Sequence, residues 1–351
     1  MYHLILTACL LGPPHCAPIL LPRGEAETRA ECEAGAGRIG RDWIAGRADL
    51  AARGTECVAT GDLPALDLRQ VAPGVFAYLG QPVQLEQSPD GRIANLGVVI
   101  GADSVAVIDA GVSRAQGQQL YAAIRRLTDL PVGHVILTHM HPDHVLGTQV
   151  FAEAGAQVVG HHALRPSLEM RAAGYLDGMA RLYGAGAMLG TEIALPDLEV
   201  RERMDLDLGG RVLSLTAAPT AHTDNDLTVF DHATGTLFGG DLIFRELTPI
   251  VDGSLRGWLD WLADAPRPAP RIVVPGHGAV AGSWDEAVAA QRRFLDALAA
   301  AVRAELEAGV PMSQAVPDIG RAMEGQAEGW AAFPESVARD ATAAYKELEW
   351  E

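Results

Sequence analysis

The chain has 351 residues, 48% of them hydrophobic, and a formal charge of −18 at pH 7. That length can bury a large core and suggests one large domain with a smaller one beside it. The acidic balance argues against a phosphate-backbone partner, and so against nucleic-acid binding or nuclease chemistry, and no run of about 18 apolar residues offers a membrane span.

Residues 1–60 read as a small module. Tyr2–Leu11 has strand character, Gly12-Pro13-Pro14 marks a turn, and Pro18–Leu21 is a second short strand. Thr28 is placed to cap a helix reaching about Ile44, with Glu31 as its capping-box partner. Gly35, Gly37 and Gly40 weaken that helix, as in a module that needs cross-links. Gly54–Ala59 reads as a last strand. All four cysteines, Cys9, Cys16, Cys32 and Cys57, fall in this module. An even number in a short segment predicts two disulfides, in any of three connectivities, and an oxidising compartment such as the periplasm. Four reduced thiols in a cytoplasmic protein are the alternative. A four-cysteine zinc site is disfavoured, because no Cys-x-x-Cys pair occurs. Leu4–Leu11 is apolar but too short, and too poor in preceding Lys or Arg, for a convincing export leader, and reads equally well as a strand.

Gly61–Gln70 is the expected boundary, with residues 61–351 as the large domain. Val75–Leu79, Ile93–Ile100 and Val105–Asp109 read as strands, Arg114–Thr128 as a helix and Gly133–Thr138 as a further strand. That last strand delivers Thr138-His139-Met140-His141-Pro142-Asp143-His144, four metal-ligand side chains in six residues. His139 and His141 point to one side of an extended backbone. Pro142 then forces a turn that brings Asp143 and His144 round as a helix begins, running from Val145 to Ala154. Imidazole and carboxylate suit zinc without any thiolate. Ala156–Val159 is another strand, ending at His161-His162, two histidines more in keeping with a surface or core role than with metal. Residues 163–195 are predicted to form a helical lid, on which Tyr183 packs. Leu206–Thr216 is a strand pair turning at Gly209-Gly210, and Leu227–Phe230, Thr236–Gly239 and Arg271–Val274 are strands. Helices are expected over Asp285–Ala308 and Pro334–Glu349. Alternating strands and helices argue for a layered α/β sandwich.

Three more ligand candidates sit beside turns at strand ends: His222, with Asn225 and Asp226 forming the turn behind it, Asp241 after Gly239-Gly240, and His277 between Gly276 and Gly278. Seven ligands suffice for two ions that share a carboxylate. His139, His141 and His222 would hold one zinc, Asp143, His144 and His277 the other, and Asp241 would bridge them. Asp109, at the end of its strand, would support the ligand loop through hydrogen bonds.

The ordered set His-x-His-x-Asp-His, His222, Asp241 and His277 resembles the metallo-β-lactamase-fold superfamily over roughly residues 70–280. The resemblance implies a four-layered αββα sandwich with a dinuclear zinc site at one edge. Asp241 points to the glyoxalase II-like branch, since the true β-lactamases of the superfamily typically carry Cys or Ser there. With its cysteine-bearing module, the chain is most similar to the zinc metallohydrolases of quinoprotein (PQQ-dependent) dehydrogenase relay systems, which implies a quinoprotein dehydrogenase as a pathway partner. The implied activity is hydrolysis of a small thioester, ester, lactone or amide-like substrate by a metal-bound hydroxide, with Asp143 orienting that hydroxide as well as binding metal. Two alternatives stand beside it. One is a persulfide dioxygenase with a single Fe2+ ion. The other is a non-enzymatic, metal-stabilised binding component of a periplasmic dehydrogenase system.

Overall fold

The structure is a computed structural model that describes residues 1–12 and 15–350. β1 (Tyr2–Leu10) and β2 (Cys16–Ala26) form a hairpin, α1 (Arg29–Ala45) follows, and β3 (Leu50–Ala59) returns to pair with the free side of β1. Pro13 and Pro14 of the expected turn lie outside the described residues. The apolar start of the chain is thus the central strand of a small sheet, with Leu4, Leu6 and Ala8 alternating into its core. Thr28 and Glu31 make the capping box on α1. β2 and β3 run longer than their propensities suggest, because the ladder to β1 holds both.

Of the three connectivities, the chain adopts Cys9–Cys16, closing the hairpin, and Cys32–Cys57, tying α1 to β3. Two such bridges fit an oxidising, extracytoplasmic compartment. The module's core also takes in Leu189, from far along the chain. A buried ion pair adds to that junction: Arg114 reaches Glu153 at 2.5 and 3.0 Å, and the Trp43 indole N–H donates to the same carboxylate at 2.9 Å.

The rest of the chain opens with β4 (Arg69–Ala72), β5 (Val75–Tyr78), β6 (Leu96–Ile100), β7 (Val105–Ile108) and α2 (Arg114–Leu127). β8 (Val132–Ile136), α3 (Pro142–Val145), α4 (Gln149–Glu153), β9 (Gln157–His161), α5 (Leu164–Tyr183) and β10 (Leu198–Val200) follow. The strands among these form one sheet in the order β10-β9-β8-β7-β6-β5-β4. β11 (Arg203–Asp207), β12 (Val212–Ala217), β13 (Leu227–Asp231), β14 (Thr236–Phe244) and β15 (Ile272–His277) form a second sheet in sequence order, with α6 (Leu255–Ala263) inserted before β15. α7 (Trp284–Glu307), α8 (Met312–Met323) and α9 (Phe333–Leu348) complete the chain.

Side-chain alternation sorts these elements into layers. On β7, Val105 and Val107 face α2, α4 and α5, whereas Ala106 and Ile108 face Leu213 and Leu215 of the other sheet. The outer face of the second sheet packs on α6 to α9 through Trp258, Phe294, Leu298 and Val337. The result is the four-layered αββα sandwich.

Several elements depart from expectation. The helix from Val145 to Ala154 is split into α3 and α4, because the Gly147 N–H bonds to Gly111 O at 3.0 Å and pins the chain to the neighbouring loop. Within residues 163–195 only Leu164–Tyr183 is helical. The remainder is irregular and brings Leu189 to the first module. α6 and α8 were not foreseen. Gly257 weakens the first pattern, and Pro317 sits inside the second. Among the described residues no helix is long and apolar enough to cross a membrane.

Candidate metal centre

The ligand cluster begins where β8 ends. Asp109 leaves β7 with a φ of +59°, a left-handed conformation that Asp tolerates better than most residues. Its carboxylate is thereby turned onto the strand end: Oδ1 accepts the Thr138 N–H at 2.8 Å, and Oδ2 accepts the Thr138 hydroxyl and the His144 Nδ1, each at 2.8 Å. His141 stands at the N-cap of α3 with Pro142 at its first position, and Asp143 and His144 are carried on that single helical turn.

The distant ligands arrive from the second sheet. His222 lies in the loop between β12 and β13, where Asp226 accepts both the N–H and the hydroxyl of Thr223 at 2.7 Å and closes the turn behind it. Asn225 donates to Asp224 at 2.6 Å in the same turn. Asp241 sits inside β14 rather than beyond its end, at a shift in register with β15. The bulge depends on two glycines. A Cβ on Gly240 (φ +52°) would lie 2.6 Å from Thr138 Cβ, and one on Gly276 would lie 1.9 Å from Asp241 Oδ1. His277 closes β15.

All seven predicted side chains converge. His139, His141, His222 and Asp241 form one group of facing ligand atoms, and Asp143, His144 and His277 a second. Asp241 stands between them: its oxygens lie 3.2 Å from His144 Nε2 and His277 Nε2, 3.5 Å from His222 Nε2 and 3.7 Å from His139 Nε2.

The outward ring nitrogens decide what the inward ones can be. His222 Nδ1 meets Ile250 O at 2.7 Å and His277 Nδ1 meets Ile93 O at 3.0 Å. A carbonyl only accepts, so both nitrogens carry protons. His144 Nδ1 donates to Asp109, and His141 Nε2 to Asp252 at 3.0 Å. The Thr138 hydroxyl gives its one proton to Asp109 and must accept from His139 Nδ1 at 3.0 Å. With their outward protons so placed, neutral His139, His141 and His222 turn lone pairs inward. His141 Nδ1 then faces His139 Nε2 at 3.1 Å and His222 Nε2 at 3.0 Å, three lone pairs with no proton among them. Ligands about 2.05 Å from a tetrahedral ion lie about 3.3 Å from one another, close to these spacings. The donor set thus fits a divalent cation, and His144 Nε2 and Asp241 Oδ1 face each other as a buried pair without hydrogen-bond geometry.

The electrostatics agree. Burial holds His139 well below the usual imidazole range and brings His222 down to about 3, so both stay neutral. Burial also opposes charge on His144, but the carboxylates of Asp241, Asp143 and Asp109 outweigh it and hold that ring well above its usual value. Burial likewise opposes charge on Asp241, and His277, His144 and His139 outweigh it. Protons on histidine balance the carboxylates here, a task that bound cations would take over.

Asp252, Thr138 and the Ile250 and Ile93 carbonyls were not foreseen as partners of the ligands. The only trace of Asp252 in the sequence is Asp252-Gly253, an ordinary turn signal. His161 and His162 lie against each other with ring centroids 4.3 Å apart, and neither belongs to a ligand group. Tyr183 donates to Leu85 O at 2.6 Å, tying the end of α5 to the cavity rim. Around the ligands lies a cavity of about 350 Å³.

The loop carrying Ile250 and Asp252 is held from α9, where Asp340 Oδ1 accepts the Val251 N–H at 2.9 Å. Burial pushes the Asp340 carboxyl up to about 8. The folded state therefore binds this proton more tightly than the unfolded chain. The stability it contributes is complete below about pH 4 and is lost as pH rises through about 8. Asp340→Asn keeps the acceptor oxygen and removes the titration. Its melting temperature relative to the parent is expected to climb between pH 5 and pH 9, by the equivalent of about 1–3 kcal/mol. Thermal denaturation across that range checks this, and a pH-independent difference would refute it.

Residues 89–277 match the family model described as the metallo-beta-lactamase superfamily. A stretch of 49 residues, 14% of this chain, is 33% identical to the linear primary-alkylsulfatase of Pseudomonas sp. (strain ATCC 19151), and the match spans 9% of that relative's length. Among solved structures, a double mutant of the sec-alkyl sulfatase PisA1 aligns with a TM-score of 0.62 at 15% identity, covering 82% of this chain and 54% of that one. A beta-lactamase domain protein from Burkholderia ambifaria aligns with a TM-score of 0.59 at 23% identity, covering 82% and 89%. At these identities the structural likeness is one of fold. The family model spans more than half of the chain and takes in six of the seven clustered side chains along with His277 at its edge, so the chain belongs to the metallo-beta-lactamase superfamily.

Proposed function

We propose that the protein is a dinuclear zinc hydrolase of small ester-like substrates, a class that includes thioesters, lactones and sulfate esters. The observation that carries this reading is the convergence of seven ligand side chains into two groups about Asp241, with the outward ring nitrogens held by hydrogen bonds and three inward lone pairs facing one another on His139, His141 and His222. His139, His141 and His222 would hold one cation and Asp143, His144 and His277 the other, with Asp241 shared. Bound there, the cations would supply Lewis acidity and a nucleophilic water near neutral pH. The chain's own residues do the rest. Asp109 and Asp252 fix the rings of His144 and His141. Asp143 turns Oδ2 toward His144 and His277 and leaves its other oxygen to accept a proton from an attacking water. Phe244 stacks on His277 at 5.1 Å and helps to shield the centre from bulk water. Sulfate esters are included because of the alkylsulfatase among the relatives. The periplasm and a quinoprotein pathway rest on the disulfides and on the resemblance respectively.

Metal analysis of protein purified without added metal, followed by a hydrolysis panel with and without chelator, tests the reading. About two zinc ions per chain are expected, with turnover lost to chelator and restored by zinc. Turnover of β-lactams is expected to be feeble, since Asp241 fills the shared position. A single iron and no zinc, with persulfide oxidation, would overturn the hydrolase in favour of the dioxygenase. Partner binding without any turnover would favour a binding component.

A further inference from the structure

α5 crosses the mouth of the cavity, and its inward stripe changes character there. Leu164, Leu168 and Met179 are buried in the core against the seven-stranded sheet. Arg171 and Tyr175 continue that stripe at helical spacing, yet they line the cavity instead of the core. Arg339 of α9 lines the same cavity.

These side chains are held by no direct bond, although the Arg339 charge is near enough to favour the ionised forms of Asp252 and Asp340. Among the described residues, neither guanidinium makes a hydrogen bond or ion pair with a protein group, and the Tyr175 hydroxyl makes no hydrogen bond. The chain has 45 Asp and Glu against 27 Lys and Arg, so arginine should find a carboxylate easily. Arg47, Arg114, Arg211 and Arg245 all do so. Besides the ligands Asp143 and Asp241, two carboxylates touch the cavity. Asp252 accepts from His141 Nε2, and Glu86 lies at the exposed rim. Burial pushes the Tyr175 phenol up to about 12, which keeps it a neutral donor at working pH.

We propose that Arg171, Tyr175 and Arg339 form an oxyanion-recognition edge of the cavity, and that the substrate carries a carboxylate or sulfate held there while its scissile bond faces Asp143 and Asp241. This rests on the hydrolase reading above. Guanidinium forks match planar or tetrahedral oxyanions with paired N–H donors, and a phenol adds a single O–H. The recognition groups come from α5 and α9, whereas the ligands come from strand-end loops. Substrate choice can therefore vary without disturbing the centre.

The test compares mono-4-nitrophenyl glutarate with 4-nitrophenyl valerate, esters with the same leaving group and different charge. Alongside it, calorimetry measures hexanoate and hexyl sulfate binding to the metal-loaded protein. The parent is expected to favour the charged ester at least about tenfold in kcat/KM. Arg171→Gln and Arg339→Gln are each expected to cut that ratio about tenfold, mainly through KM, and Tyr175→Phe about threefold. Hexanoate and hexyl sulfate should lose affinity in the arginine variants by similar factors, and the tighter of the two identifies the oxyanion. Ester turnover without charge preference would overturn this proposal alone. Anion binding that depends on both arginines, with no ester turned over, would sustain it while the hydrolase reading falls. Anion binding unchanged in both arginine variants would overturn it.

Discussion

Replacing Asp241 by asparagine is expected to abolish the paired character of the centre. The carboxylate is 4% exposed and its two oxygens approach four imidazole nitrogens within 3.7 Å. An amide keeps one acceptor oxygen but turns an NH2 toward lone pairs that already face inward, and it cannot serve two cations as an anion. Metal content after dialysis should fall from about two ions per chain to one or fewer, and kcat/KM should drop at least about 1,000-fold, or about 4 kcal/mol of transition-state stabilisation. The cation-free protein should lose stability too, since the buried His144 ring loses the carboxylate that most favours its charge. The rise in melting temperature on adding zinc, which in the parent follows from binding to the folded state alone, should shrink sharply. Metal analysis and paired thermal melts with and without zinc read this directly. Two retained ions and activity within tenfold of the parent would show that the centre is not organised around Asp241.

The ligands were legible because their signal is local. Four ligand side chains in six residues, and three later blocks that put His or Asp beside a turn, two of them next to glycine, can be read without knowing which strands pair. The groups that orient those ligands were not legible. Asp252 meets a histidine 111 residues earlier, and Ile250 and Ile93 act through backbone carbonyls, which no side-chain pattern records. The same division runs through the fold. The Thr28–Glu31 cap and the Gly209-Gly210 turn follow from short-range chemistry. The extension of β14 past Asp241 follows from pairing with β15, and the split between α3 and α4 follows from the Gly147 contact with the loop at Gly111. Arg171 and Tyr175 form an intermediate case. Their place on the apolar stripe of α5 is visible in the sequence, but only the fold reveals that the stripe passes over a cavity there.

Trp258 links core packing to the centre, and its removal should damage both. It is the largest fully buried side chain, 0% exposed on α6, with its ring 5.3 Å from His222 and 6.0 Å from Phe244. Its indole N–H donates to Leu242 O at 2.9 Å, one residue beyond Asp241. Gln291 donates to the same carbonyl at 3.0 Å and accepts the Phe244 N–H at 2.8 Å, so the backbone after Asp241 is clamped from two helices. Trp258→Ala leaves a cavity beside the His222 ring and should cost about 3–5 kcal/mol of stability. Trp258→Phe fills most of the space but drops the donor to Leu242 O, a loss of about 1–2 kcal/mol, because Gln291 still partners that carbonyl. Metal affinity should fall by about 10–100-fold in the alanine variant, as expected when a wall that orients a ligand is removed. Trp258→Ala should lower the melting temperature of the cation-free protein through lost packing rather than lost charge. Denaturant titrations of the metal-free and zinc-loaded forms separate the two contributions. Equal stability of Trp258→Ala and the parent in the metal-free form would show that this indole is not the support on which His222 and the Asp241 strand rest.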